Sequence, residues 1–254
     1  VTQTIDAVVA GVTEGRYTEA RLDGSVRRIL QAKRDLGLDR RKLVNLDSLR
    51  FIVGDTSHHA AARRIAERSI TLVKDSLSQV PLTLPATARI LSVTVGRRND
   101  LSAGVAFNGE LRSTFRNLRA EFLAAEDPAA DYARLERAAD SADVTIVSSY
   151  VGQNWDAVSA SAPQAFAGFV KRLSDRGKRP ILISFGNPYL LQQIPSVAAY
   201  VVAWGGFPPS QSAAARAITG KTSISGKLPI SIPLERPART VTRGTGIART
   251  SIQR

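Results

Sequence analysis

Apolar residues recur at helical spacing near the start of the chain: Ile5, Val8, Val9 and Val12 share one face, and Gly15 follows where such a helix would stop. A second helix is predicted over LDGSVRRILQAKRDLG at 22–37. Asp23 or Ser25 can cap its first N–H groups, and Val26, Ile29, Leu30 and Lys33 form its stripe, with the lysine stem snorkelling at the edge. Gly37 suits a left-handed C-terminal cap. The polar DRRKLVNLDSLR that follows adds little core, so this segment is expected to pack on something else. A third helix is predicted from His59 to Lys74, with Ala62, Ile65, Ala66, Ser69, Ile70 and Val73 facing inward.

Past PLTLPATA at 81–88 the pattern changes to short apolar runs. ILSVTV (90–95), VTIVSSYV (144–151), PILISF (180–185) and AAYVVAW (198–204) read as strands covered on both faces. Between them lie predicted helices in ELRSTFRNLRAEF (110–122), DYARLERAADSA (131–142), PQAFAGFVKRLSDRG (163–177) and QSAAARAITG (211–220). This alternation predicts an α/β domain with a mostly parallel, doubly wound sheet. LPISIP at 228–233, held between prolines, reads as a last strand at an edge.

Length changes the picture little: 254 residues fit one large α/β domain, or a smaller one with an appendage. No run approaches the roughly 18 apolar residues of a membrane span, and the start resembles no signal peptide. Cysteine is absent, which excludes disulfides and thiolate chemistry and leaves the compartment open, with an extracytoplasmic one preferred to the cytoplasm. Methionine is absent too, even at position 1, and the expectation is an internal or C-terminal piece of something longer.

The formal charge is +13, concentrated in part in KRLSDRGKR at 171–179 and from Arg216 onward, where eight Lys or Arg face one acid, Glu235. Such a surface can meet nucleic acid or an anionic partner. No zinc motif, recognition helix or aromatic-interleaved strand accompanies it, so nucleic acid is not the expected partner.

The motifs for chemistry are mostly missing. ILSVTV continues as GRRNDLSAG rather than GxGxxG, and TGKTS at 219–223 follows a helix without the glycine pattern of a phosphate loop. Gly220 is expected to end that helix, and Gly226 to admit a close approach to the last strand. His58 and His59 are adjacent and point about 100° apart on a helix, so they cannot form the metal-binding pair of one face. Ser148, Ser149 and Ser184 end strands without a GxSxG elbow or an assignable base. Asp140 and Asp143 flank a helix-to-strand turn, and Asp156 follows YVGQNW near a strand rim. None has a credible carboxylate partner, and turn or cap duty is the expectation. In SFGNPYLLQQIPSVAAYVVAWGG at 184–206, Asn187 can bond around a turn, Pro188 starts a short helix, and Tyr189 and Leu190 pack or form a rim. That is crevice geometry without a nucleophile or base. No catalytic, cofactor-binding or metal-ligating residue is assigned, and no cofactor is expected.

Four stretches, in order along the chain, carry a resemblance: LDGSVRRILQAKRDLGL, HHAAARRIAERSITLVKD, SFGNPYLLQQIPSVAAYVVAWGG and SAAARAITGKTSISGKLPISIP. Together they resemble the C-terminal half of glycoside hydrolase family 3, in particular its β-N-acetylglucosaminidases. The resemblance implies that a (β/α)8 barrel with the aspartate nucleophile precedes this chain. Residues 1–36 would be its terminal helical part, 37–87 a linker and packing helix, 88–235 the α/β sandwich domain, and 236–254 a basic C-terminal tail. In the acetylglucosaminidase branch the acid/base is a barrel-loop histidine, and His58 and His59 do not match its motif. In the β-glucosidase branch a carboxylate of the C-terminal domain can serve, and Asp156 falls in a plausible region without a motif to secure it.

The implied function is cleavage of β-linked N-acetylhexosamine, the chain supplying scaffold and cleft rim. Its partners would be the barrel, which would cover Ile5, Val8, Val26 and Ile29, and a cell-wall or chitin-type carbohydrate. The alternative is a non-catalytic carbohydrate-binding or interaction scaffold.

Overall fold

The computed structural model describes residues 1–124, 129–150, 163–234 and 239–252. Asp156 and the end of VTIVSSYV at Val151 lie outside the described residues. The chain divides into two compact units, Val1–Thr56 and Ser57–Arg254.

The first unit holds α1 (Thr2–Thr13), α2 (Glu19–Asp35) and α3 (Leu46–Ile52). Helix α2 begins earlier than its apolar stripe predicts, because the Thr18 side chain accepts from Arg21 N at 3.2 Å and caps it there, rather than Asp23 or Ser25. It ends as expected: Gly37 stands at φ 71° and Leu38 N donates back to Lys33 O at 3.0 Å. Gly11 passes so close beneath the Tyr17 ring that a Cβ there would meet the phenol at 2.4 Å. The apolar stripes stay open: Ile5, Val9, Val26, Ile29 and Leu30 are all exposed, and α2 buries no residue.

The second unit is built on a six-stranded sheet in the order β1-β6-β5-β4-β2-β3. Its strands are β1 (Thr71–Asp75), β2 (Arg89–Gly96), β3 (Asn117–Ala124), β4 (Val144–Ser149), β5 (Ile181–Ser184) and β6 (Ala199–Val202). All neighbours run parallel except β1, which pairs antiparallel with β6. Helices α4 (Thr56–Ser69), α5 (Val105–Arg112) and α9 (Pro208–Ile218) cover one face through Ala66, Phe107, Leu111 and Ala214. Helices α6 (Ala129–Asp140), α7 (Gln164–Asp175) and α8 (Leu190–Gln193) cover the other through Leu135, Phe169, Leu173 and Leu190. Strand β2 alternates between the layers, with Ile90 in the first and Leu91, Val93 and Val95 in the second. Burial on both faces is why these strands read as continuous apolar runs.

Three predicted elements need correction. The helix predicted from His59 to Lys74 ends at Ser69, and β1 takes over. Only Ala66 of the α4 residues is buried, while Ile65 stands 69% exposed. Ile70 and Leu72 enter one layer and Val73 the other, the two-sided burial of a strand. The second half of ELRSTFRNLRAEF is β3 rather than helix. Its charges suit an edge: Glu121 pairs with Arg119 at 2.7 Å and with Arg134 at 3.2 Å, which keeps polar groups where another chain could add. Finally, LPISIP does not extend the main sheet. Its end forms β7 (Ile232–Leu234), paired antiparallel with β8 (Arg239–Val241) in a separate ribbon, and Gln192 Nε2 donates to Pro233 O at 3.0 Å.

Beyond β8 the chain returns to β1. Ile247 N donates to Leu72 O at 2.8 Å, and Arg249 donates to Val80 O and to the fully buried Asp75 carboxylate, each at 2.8 Å. Gly226 makes the approach possible, since a Cβ there would lie 2.4 Å from Ile70 O. Gly220 ends the turn after α9 at φ 76°.

Candidate functional site

The crossover after β2 leads to β3 on one side, and the next returns to β4 on the other. The carboxyl ends of β2 and β4 therefore flank a topological switch point, where open α/β sheets hold ligands. The loop Arg97–Gly104 follows β2, Tyr150 follows β4, Phe185–Tyr189 follows β5, and Trp204–Phe207 follows β6.

Aromatic rings pack in the core beneath these loops. Tyr150 stacks on Phe185 with centroids 4.4 Å apart, and Phe107 meets Phe185 edge-on at 5.6 Å. A Cβ on Gly206 would come within 3.2 Å of the Tyr150 ring, so bare backbone closes the other side. Burial pushes the Tyr150 phenol well up, and the Asp100 carboxylate adds to the rise; its hydroxyl finds no hydrogen-bond partner among the described residues. The phenol stays protonated at neutral pH and cannot serve as a base.

Gln211, fully buried on α9, ties the loops together. Its Oε1 accepts from Ala106 N at 3.1 Å and Phe107 N at 3.2 Å, and its Nε2 donates to Ser102 O at 3.0 Å and Gly206 O at 2.7 Å. Two of its partners are free N–H groups in the first turn of α5. Gly104, at φ 76°, lets that helix begin against β2, where any Cβ would meet Thr94 Oγ1 at 2.4 Å.

Asp100 is the one carboxylate among the described residues of these loops. Its Oδ1 accepts from Ser102 N, Ser102 Oγ and Ala103 N at 3.1, 2.8 and 3.1 Å, so it holds a turn. Asp140 and Asp143 lie at the opposite, amino end of the strands. Asp140 pairs with Arg176 at 2.6 Å and Asp143 with Arg89 at 2.7 Å, and hydrogen bonds from Arg89 hold the Asp143 carboxyl below its ordinary range. Ser148 and Ser149 are buried in β4, and Ser184 Oγ donates to Asn187 O at 2.7 Å. His58 and His59 are exposed in the first turns of α4. Among the described residues no group of three potential metal ligands exists. Among the described residues, this end of the sheet thus has loops tied over a buried aromatic cluster and no acid–nucleophile pair.

Sequence reasoning placed the Asn187 junction correctly at a strand end but did not find Tyr150 or Gln211 as organising residues. The signals were an aromatic at the carboxyl end of VTIVSSY and a glutamine opening an alanine-rich helix.

A profile for the glycosyl hydrolase family 3 C-terminal domain matches residues 6–245. The chain belongs to this family. A β-N-acetylglucosaminidase/β-glucosidase of Cellulomonas fimi is 27% identical over 237 residues, which cover 87% of this chain and 40% of that protein. A periplasmic β-glucosidase of Salmonella typhimurium is 25% identical over 87% of this chain and 35% of its own length. The chain therefore spans two fifths or less of the curated relatives it matches. In structure, a β-glucosidase from Listeria innocua in complex with isofagomine shares the fold at TM-score 0.65 and 22% identity, over 89% of this chain and 34% of that one. A family 3 β-N-acetylglucosaminidase from Paenibacillus shares it at TM-score 0.60 and 21% identity, over 87% of this chain and 41% of that one. Among the described residues, no helix of this family 3 domain is long and apolar enough to cross a membrane.

Proposed function

We propose that this family 3 C-terminal domain is the scaffold half of a glycosidase that cleaves β-linked N-acetylhexosamine, with the nucleophile on an N-terminal barrel. The observation that carries this reading is the match of residues 6–245 to the family while the crevice holds, among its described residues, one carboxylate already committed to a turn. Retaining hydrolysis uses two groups about 5–5.5 Å apart across the scissile bond. The loop after β2, over the buried aromatic cluster, would form one wall of the cleft, and the barrel would supply the chemistry. The domain reading of residues 1–36 as the end of that barrel agrees with the exposed stripes of α1 and α2. Residues 37–87 would then carry the chain into the sandwich domain of 88–235, with 236–254 as its basic end.

The N-acetylhexosamine preference rests on the Cellulomonas relative and on the stretches named above. The test is hydrolysis of aryl N-acetyl-β-glucosaminide and aryl β-glucoside by the longest polypeptide that contains this sequence. Faster turnover of the N-acetylated sugar is expected. A preference for the β-glucoside would move the substrate to glucose, the activity named for the Salmonella relative. A second reading, a non-catalytic carbohydrate-binding scaffold, is favoured by the turn-holding bonds that Asp100 Oδ1 accepts. Sugar binding without turnover by that same polypeptide would establish it.

A further inference from the structure

The opposite end of the main sheet holds a pocket that the crevice does not use. It encloses about 510 Å³, within the range of small-molecule sites, between the turn after β1, the start of β4 and the turn that leads into β5. Leu77 and Leu84 give it an apolar side, and Ser78, Thr83, Lys178 and Arg179 a polar one. Open α/β sheets hold their substrates at the carboxyl ends of the strands, so a pocket at the amino ends of β4 and β5 would serve a second ligand.

Two residues of its wall stand in left-handed backbone conformations that glycine adopts most easily: Ser78 at φ 51° and Arg179 at φ 45°. Arg179 is doubly unusual, because it precedes Pro180 and a proline ring favours an extended residue before it. The surroundings fix both. The Asp75 carboxylate accepts from Gln79 N at 2.8 Å and Val80 N at 3.3 Å, which sets the turn at Ser78, and Gln79 Nε2 donates to Arg179 O at 2.9 Å. Strain held in this way clusters at ligand sites. The Arg179 side chain is exposed, so core packing does not explain why an arginine stands where glycine would relieve the strain.

Charge supplies a reason. Asp143, the one carboxylate in the lining, is held by Arg89 at 2.7 Å. Lys178 shares Asp140 with Arg176, at 3.4 and 2.6 Å. Arg179 forms no ion pair among the described residues, and the Ser78 and Thr83 hydroxyls form no hydrogen bond among them. We propose that this pocket binds a monosaccharide carrying one anionic group, a carboxylate or a phosphate. The Arg179 guanidinium takes the anion with Lys178 beside it, the two hydroxyls meet those of the sugar, and Leu77 and Leu84 pack on its C–H surface. Arg179 stays strained because its charge is needed at this wall. None of these residues lies at the crevice, so the inference does not rest on the hydrolytic reading.

The test is isothermal titration of the longest polypeptide that contains this sequence, at low ionic strength, with glucuronate, glucose 6-phosphate, glucose and inorganic phosphate. Wild-type and Arg179→Gly proteins are compared, and the readout is the difference between them, which removes any sugar bound in the hydrolytic cleft. Glucuronate or glucose 6-phosphate is expected to bind on the order of tenfold more weakly to Arg179→Gly, and the larger difference names the anionic group. The urea midpoint of Arg179→Gly is expected at or above that of the wild type, because glycine relieves the left-handed strain. Arg179→Asn, whose side chain also tolerates that backbone, should weaken binding in the same way. Equal binding by wild type and both variants would overturn the inference. So would an equal Arg179-dependent affinity for glucose, which would take charge out of the recognition, or for inorganic phosphate, which would mark an adventitious ion only. A lowered urea midpoint in both variants would make Arg179 a structural residue and overturn it as well.

Discussion

Two neighbouring strand-to-helix junctions, after β5 and after β6, begin alike and end differently. After β5, the polar groups close on one another: Ser184 Oγ donates to Asn187 O, Asn187 Oδ1 accepts from Tyr189 N at 2.9 Å, and the Tyr200 hydroxyl donates to Pro188 O at 2.9 Å. Asn187 and Leu190 are buried, and little there can meet a ligand. After β6, Gln211 ties only the inner side, through Gly206 O, while Trp204 and Phe207 carry apolar surface outward. A junction whose polar groups are mutually satisfied is scaffold. One that leaves a large apolar group such as Phe207 in water adds nothing to the domain's own core.

The sharpest way to break the contrast is Gln211→Ala, which strands two α5 N–H groups and two carbonyls in the interior. A loss on the order of 3 kcal/mol is expected, read from the shift of the urea midpoint. Tyr200→Phe removes one buried hydrogen bond from the closed junction and should cost about 1 kcal/mol by the same assay. A pH series sharpens the comparison further. Burial pushes the phenols of Tyr150 and Tyr200 upward in the folded chain, whereas an unfolded tyrosine titrates near 10. Above about pH 10 the unfolded state releases protons that the folded state keeps. Their contribution is full below that pH and declines as pH rises past it, and Tyr150→Phe should make the alkaline decline shallower. The smallest effect belongs to the open junction: Phe207→Ser should change the stability of the 254-residue chain by less than about 0.5 kcal/mol. A large loss would show that Phe207 packs within this domain.

Legibility in the sequence followed burial. Strands β2, β4, β5 and β6 are covered on both faces and announced themselves as β-branched runs. The edges did not. In β1 the sequence ITLVKD continues the helical spacing of α4, and only the antiparallel partner β6 makes it a strand. In β3 the Arg119–Glu121–Arg134 cluster resembles a helix surface until the edge position explains it. The family was legible from four quoted stretches. The organisation of the crevice was not, because Gln211 meets Ala106 and Phe107 across more than a hundred residues of sequence. No local pattern encodes that meeting. The stripes of α1 and α2 were legible both as helices and as faces without a core of their own, and the folded chain leaves Ile5, Val26 and Ile29 exposed, with Val8 half-buried.

The central claim is that this domain shapes a cleft whose chemistry lies elsewhere in the polypeptide. The most direct measurement is hydrolysis of an aryl N-acetyl-β-glucosaminide by the purified 254-residue chain, beside the longest polypeptide that contains it. The account predicts turnover by the longer protein and none above background by the chain alone. Turnover by the chain alone, abolished by a substitution such as Asp100→Asn in its own crevice, would contradict it.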